Sequence, residues 1–427
     1  MCVLNHYITI SSDITNCWYS ALYTPLQHLH SRFPGYMVPG HILLADVTEP
    51  SLQEALVWSL DIWASGKFPH LDHRGIPFPA NSWRARLAAN NTDICGGFTP
   101  VYTGTVADQL WIKQHYRYSQ MWSNVEMCHE CFAQNAVGPL NFTACVEFPP
   151  RTNATYMASD GAKMSPLTKV IGFHMSMTRP ELMHVGPLGC MPDFVGSALT
   201  ELADEGFFGF TDVTSWQVRF ESQCKVAFID FNEWARRHNQ SHSLKTLTRA
   251  RLSLKTRSAW PYFKGKAHNC MVLCRWLASV CKPHSGEAYP RMRSAVMSSF
   301  SALMDVAGHS EDPDWYNESE LKRVDIACNM VLHGSKALAG ISHRLGKARW
   351  KMRPKLHLIH HVNKNAQLSK RPIRAFWSFK EEECMGKLSA IASRAHGGAV
   401  AKRSMQRWCE HFPIWLTSKP NTHTYRY

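Results

Sequence analysis

The stretch Thr103-Gly104-Thr105-Val106-Ala107-Asp108-Gln109-Leu110-Trp111 decides how the chain is read. Its β-branched residues suit a strand, and Cys95 to Val106, with Gly96-Gly97, Phe98, Val101 and Tyr102, extends that strand toward the N-terminus. Asp108 closes it, and a helix is expected from about Asp108 to Tyr118. A carboxylate at the C-terminal end of a strand in an open α/β sheet stands where ligands and metal ions bind. The same Asp is a good helix N-cap, because its oxygens accept from the first-turn N–H groups. Asp108 therefore has two candidate roles, ligand and cap.

Working outward, Tyr7-Ile8-Thr9-Ile10, Cys17 to Tyr23 and His41 to Ala45 are rich in β-branched and aromatic residues and read as strands. Ser51-x-x-Glu54 has the form of a capping box. Leu52, Leu56, Leu60 and Trp63 recur at helical spacing behind it, and Gly66 ends the run. Strands, a helix, a strand ending in a carboxylate and a second helix predict an α/β layer architecture. Beyond the break Phe148-Pro149-Pro150 the pattern changes. From Glu181 to about Lys347 the apolar residues follow 3.6-residue spacing, as in Phe194, Leu199 and Leu202, so a mainly helical module is expected. A last helix is expected over Trp377 to Ala395, with Met385, Leu388 and Ala392 on its apolar stripe.

The 427 residues are 45% apolar and 19% charged, which excludes collagen-like, coiled-coil and wholly disordered classes. No run of 18 apolar residues occurs, so no membrane span is expected. The start, MCVLNHYITISSD, has no basic segment before an apolar core, so no secretory signal is expected either. Charge is unevenly divided. Residues 1–230 hold 13 basic and 20 acidic side chains, and residues 231–427 hold 34 and 13, giving −7 and +21. Clustered Lys and Arg attract phosphates at long range, so the second half predicts a polyanion partner, DNA above all. Two stretches interleave these cations with aromatics. One carries Lys245, Arg249, Arg251, Lys255, Arg257, Lys264 and Lys266 around Trp260, Tyr262 and Phe263; the other carries Arg349, Lys351, Arg353 and Lys355 beside Trp350.

The 14 cysteines are irregularly spaced, which favours reduced thiols over a disulfide framework. Cys128-His129-Glu130-Cys131 has the spacing of half a tetrahedral zinc site, since two thiolates on a tight turn reach one ion. Cys145, His115 and Cys95 are the nearest residues that could complete it. His184, in Pro180-Glu181-Leu182-Met183-His184, is either a ligand or acid/base group or a structural, hydrogen-bonded histidine. Glu381-Glu382-Glu383 opens the last helix, where acids complement the helix dipole. Glu382 shares its face with Gly386 and Ser389, small enough to let a metal approach.

Together these motifs carry a resemblance. Gly66-Lys67-Phe68-Pro69-x-x-Asp72, Asp108-x-x-Trp111 with Cys128-x-x-Cys131, and Glu181-Leu182-Met183-His184 with Leu188-Gly189 and Gly196-Ser197 stand in that order. Tyr262-Phe263-Lys264-Gly265-Lys266-Ala267, Lys355-Leu356-His357-x-x-His360 and Glu381-Glu382-Glu383-Cys384-Met385-Gly386-Lys387 follow. Over about residues 50–410 the chain resembles the transposase-derived proteins abundant in dinoflagellate genomes, which look like distant DDE/D transposases.

The resemblance implies an RNase H-like mixed sheet flanked by helices and interrupted by a large helical insertion. It would divide the chain into core residues 1–150, insertion 151–350, closing core 351–412 and tail 413–427. It also implies two Mg²⁺ held by three carboxylates for phosphoryl transfer. Asp108 would be the second acid, Glu382 the last and Asp13 the first, while Glu181 stands where relatives have Asp.

Three functions compete on these grounds: a nuclear, metal-dependent transposase or nuclease, a DNA-binding protein without catalysis, and a Zn²⁺-bearing module for nucleic-acid or protein partners. The first two part on whether the carboxylates of Asp108 and Glu382 come within about 5 to 7 Å of each other and of a third acid, and the last gains if Cys128 and Cys131 face two further ligands while the basic residues scatter around the surface.

Overall fold

The computed structural model describes residues 6–11, 44, 46–94, 99–160, 164–211, 215–282 and 287–379, with isolated positions 390, 391, 393, 394 and 407. In chain order the elements begin with β1 (His6–Ser11), α1 (Thr48–Ser65), α2 (Trp83–Ala89), β2 (Thr99–Ala107), α3 (Gln109–Tyr116), α4 (Asn153–Asp160) and β3 (Thr178–Pro180). Helices follow: α5 (Leu182–Val185), a π turn at Gly186–Cys190, α6 (Met191–Asp204), α7 (Trp216–Arg237), α8 (Ala267–Cys281), α9 (Ala288–Gly308), α10 (Glu318–Arg344) and α11 (Pro354–Ser369).

The expected RNase H-like α/β fold is overturned. Among the described residues one three-stranded sheet is present, in the order β1-β2-β3. β1 pairs antiparallel with β2, and the three-residue β3 pairs parallel with its end. That is far too little sheet to carry a layered α/β domain, and helices make up most of the described chain. β3 ends at Pro180, which has no N–H to continue a ladder. Gly104, at φ +143°, lets the turn before β3 come close, since a Cβ there would lie 2.5 Å from the Met177 carbonyl oxygen. The strands expected at Cys17 to Tyr23 and most of His41 to Ala45, and most of the helix expected over Trp377 to Ala395, lie outside the described residues.

Two apolar cores form. The smaller joins α1 to β2 and α3 through Val57, Leu60, Tyr102, Ile112 and Tyr116. The α1 boundary differs from the expected capping box: the helix opens at Thr48 behind Val47, and Ser51 lies inside the first turn, its hydroxyl donating to the Val47 carbonyl at 2.9 Å. Gly66, at φ 69°, ends it as expected.

The larger core surrounds α6, whose residues from Met191 through Ala203 are all buried. A helix buried all round lies at the centre of its neighbours, and its polar stripe of Asp193, Ser197 and Glu201 is met there by protein partners rather than water. Gly196 lets the loop before α8 pack on α6, because a Cβ there would meet the Pro261 carbonyl carbon at 3.0 Å. The nine described cysteines are free and buried, in keeping with reduced thiols.

Candidate metal centre

The Cys128-x-x-Cys131 turn lies in the irregular segment after α3, where little regular backbone pairing is available to hold it. Side chains hold it instead. The buried Arg151 donates from Nε to the carbonyls of Cys128 at 3.2 Å and Cys131 at 3.0 Å, and from Nη2 to Glu126 at 2.8 Å. Its guanidinium lies 4.3 Å from the Phe132 ring centroid. Gln109 donates to the Met127 carbonyl at 3.0 Å, and His129 Nε2 lies 2.7 Å from the Thr178 carbonyl oxygen, tying the turn to α3 and β3.

Opposite the turn stands α11, with Pro354 at its first position, where a missing N–H costs nothing. His357 and His361, one turn apart, project from the same buried face. Cys131 Sγ lies 3.1 Å from His357 Nε2, Cys128 Sγ lies 3.3 Å from His361 Nε2, and the two Nε2 atoms are 3.0 Å apart. All four donor atoms fall within 4.8 Å of one another. Zinc bonds of about 2.1 to 2.3 Å give tetrahedron edges of roughly 3.4 to 3.8 Å, so these separations are nearly those of a filled tetrahedral site.

Protonation favours ligation. Burial pushes His361 down to about 4, keeping its imidazole neutral with a lone pair to give. Hydrogen bonding from Cys128 and the imidazoles holds Cys131 far below the ordinary thiol range, while burial pushes Cys128 up. The pair thus shares a thiolate before any ion arrives. Glu130, its side chain 9% exposed, adds an outer contact, a carboxyl oxygen lying 3.4 Å from His361 Nδ1, the nitrogen that faces away from the cluster. Burial, with the Cys131 thiolate beside it, pushes this carboxyl up to about 8, and a carboxyl so placed orients the ligand imidazole. Replacing Glu130 with Gln should weaken metal affinity by about 10- to 100-fold. Competition against a chromophoric chelator measures it, and an unchanged affinity would remove Glu130 from the site.

The two thiols were legible in the sequence, but their partners were not. Cys145 instead approaches the Leu332 carbonyl oxygen at 3.8 Å, His115 pairs with Glu49 and stacks on Trp111 at 4.1 Å, and Cys95 lies outside the described residues. A signal existed in His357-x-x-x-His361, the spacing of the histidine half of a Cys₂His₂ site, overlooked beside His360 and over 220 residues from the cysteines.

The expected catalytic acids fare differently. Asp108 is an N-cap, Oδ1 accepting from the Trp111 N–H at 2.6 Å. Asp13 and Glu382 lie outside the described residues. The Cys/His cluster is the one described group with metal-site geometry, and its soft thiolates and imidazoles suit zinc, so Mg²⁺ has no support. His184 is hydrogen-bonded within its own turn. Its Nδ1 lies 2.7 Å from Glu181, which also caps α5 by accepting from the Met183 and His184 N–H groups.

The two basic stretches are brought together on α6. Arg353 pairs with Asp193 near the helix start and lies 4.9 Å above the Tyr262 ring. Near its end Asp204 takes Arg349 at 3.1 Å and Arg257 at 3.8 Å. Arg349 is buried, so it serves the fold rather than a partner, and Arg249 is drawn to Glu221 at 3.7 Å. Arg251 reaches the Lys264 carbonyl at 3.4 Å, and Lys355 the His184 carbonyl at 3.3 Å, with its amine 5.3 Å from the Trp122 ring centroid. Lys245, Lys255, Lys264 and Lys266 are exposed and Lys351 half-buried, and none has an ion pair among the described residues.

No family model, no curated protein and no solved structure matches the chain. No helix among the described residues is long and apolar enough to cross a membrane.

Proposed function

We propose that this chain is a transposase-derived, zinc-bearing protein that binds DNA in the nucleus without cutting it. The observation that carries this reading is the meeting of two cationic segments, about 90 residues apart in sequence, on one buried helix. Four pairing arginines, at 249, 257, 349 and 353, anchor the segments, and Lys245, Lys255, Lys264 and Lys266 are exposed with no ion pair among the described residues. Exposed lysines without an ion pair are free to meet a phosphate backbone, which releases its counterions on binding them. Gathered rather than scattered cations favour nucleic acid over a protein partner.

Zinc fits the donor set, and its part here is architectural. His357 follows Arg353 by four residues, so an ion joining α11 to the Cys128 turn also fixes the second basic segment. Four protein ligands leave no open position for water or substrate, which favours a structural ion over a catalytic one. Asp108 caps α3 through Oδ1, and none of the described residues joins it in a carboxylate cluster of metal-site geometry.

Duplex DNA titrated at several salt concentrations tests the proposal. Changing Lys255 and Lys264 to Glu together should weaken binding by about 10-fold or more at low salt and reduce the slope of log K against log salt by about 2. A slope unchanged in the double variant would refute the assignment of these lysines to phosphate contact.

A further inference from the structure

Between α7 and α8 the chain forms a closed loop with one exposed tryptophan, set in sequence between cationic residues. Its base is pinned by backbone bonds from Tyr262 N–H to the Leu252 carbonyl at 2.9 Å and from Lys264 N–H to the Arg251 carbonyl at 2.7 Å. Arg249 donates across the loop to the Lys255 carbonyl at 2.9 Å, and Ser253 to the Tyr262 carbonyl at 3.0 Å. Leu252, Leu254, Pro261 and Phe263 are buried beneath, with Pro261 against Gly196 of α6. In the middle of this anchored frame Trp260 is 45% exposed, and it has no ring contact among the described residues. Lys255 and Arg257 precede it, and Lys264 and Lys266 follow.

A lone exposed apolar residue needs no special cause. Trp260 differs in its setting: the next residue, Pro261, is buried against α6, and the same anchored loop carries Lys255, Arg257, Lys264 and Lys266 on either side of it in sequence. A rigid loop spends little entropy when a ligand seats on it. An indole face with flanking cations is the surface that stacks a nucleobase while neighbouring lysines hold the adjoining phosphates. In a duplex the base faces are covered by their neighbours, so only an unpaired base offers a free one.

We propose that Trp260 is a stacking platform for an unpaired nucleobase, so that this surface takes single-stranded nucleic acid in preference to duplex. The inference rests on the nucleic-acid reading above and specifies which strand state that surface takes.

The full chain would be titrated with three probes: a 20-residue oligothymidylate, a 20-base-pair duplex, and heparin, a polyanion without bases. Trp260→Ala should weaken oligothymidylate binding about 10-fold and change duplex and heparin binding by less than about 2-fold; Trp260→Phe, which keeps a ring, should stay within about 3-fold of the parent on all three. Trp260→Leu, apolar but without a π face, should behave as the Ala variant does and serves in its place if the Ala variant loses its thermal midpoint. Equal losses on oligothymidylate and heparin, or a Leu variant as tight as the parent, would overturn stacking and leave the phosphate-binding proposal standing. A parent chain that binds none of the three probes would overturn both.

Discussion

Chain carrying Cys131→Ala or His361→Ala should emerge without bound metal, whereas the parent carries one ion per chain by elemental mass spectrometry, and the variants should unfold at a clearly lower temperature. The four donor groups are all buried, and they approach one another at 3.0 to 3.3 Å in the three pairs that lie closest. Without an ion, lone pairs converge in a low-dielectric interior, which costs free energy. With an ion, each lone pair has the partner it faces. At free metal a thousand times its dissociation constant, binding to the folded state alone adds about 4 kcal/mol.

Besides the ion, the two segments share the larger apolar core, a Lys364–Glu147 ion pair and a Phe148–His357 ring contact at 5.5 Å, but all four donor atoms lie across their seam. One segment is a turn with little regular pairing of its own, and the other is the helix that follows the second basic segment. A strong chelator should therefore lower the melting temperature of the parent and leave the variants unmoved. Acid should release the ion as well, because falling pH puts protons on the imidazoles and thiolates that hold it. A parent that carries no metal, or whose melting ignores chelator, would end the metal assignment.

Arg293→Met should cost about 3 to 5 kcal/mol, measured as a lower denaturation midpoint at neutral pH. Arg293 is fully buried on α9, donating to both carboxylate oxygens of Glu205 at 2.7 and 2.8 Å and lying 3.4 Å from Glu201. Glu201, on α6, is buried as well and also accepts from the Trp350 indole at 2.8 Å and from the Tyr289 hydroxyl. Glu205 is half-exposed and can turn to water; Glu201 cannot, and would keep its charge without its cation.

The pH dependence has a definite sign. Burial already raises the Glu201 carboxyl above its ordinary 4.5, and losing Arg293 raises it further. A raised folded value means that the folded state holds the proton more tightly than the unfolded chain does. The penalty is therefore full above the folded value and shrinks as pH falls toward 4.5. The deficit of the variant relative to the parent should follow that course. Adding Glu201→Gln should recover much of it at neutral pH, because the stranded charge is gone. A double variant no more stable than Arg293→Met alone would show that packing, not charge, sets the cost.

The residues around Asp108 show why the architecture was misread. Val106 and Ala107 do end a strand and Gln109 does open a helix, as their local preferences require. Local preference is silent on how many other strands arrive beside this one. Only Thr178 to Pro180 joins on one edge of β2, and β1 on the other, so a correct strand-to-helix boundary was extended into a sheet that the described chain does not contain. The helical half was legible because its signal is a periodicity repeated over many turns. The apolar residues of α6, Phe194, Leu199 and Leu202 among them, lie in the centre of the larger core.

What the sequence determined by itself was local and additive: where most of the described helices run, which half carries the positive charge, and that two cysteines share a metal-ligand spacing. What only the tertiary structure decided was convergence. His357 and His361 meet the cysteines from more than 220 residues away, and two basic stretches meet over Asp193 and Asp204. Both depend on how helices pack around α6. Ligands and charges interact through distance in space, and separation along a chain carries no information about that distance until packing has set it.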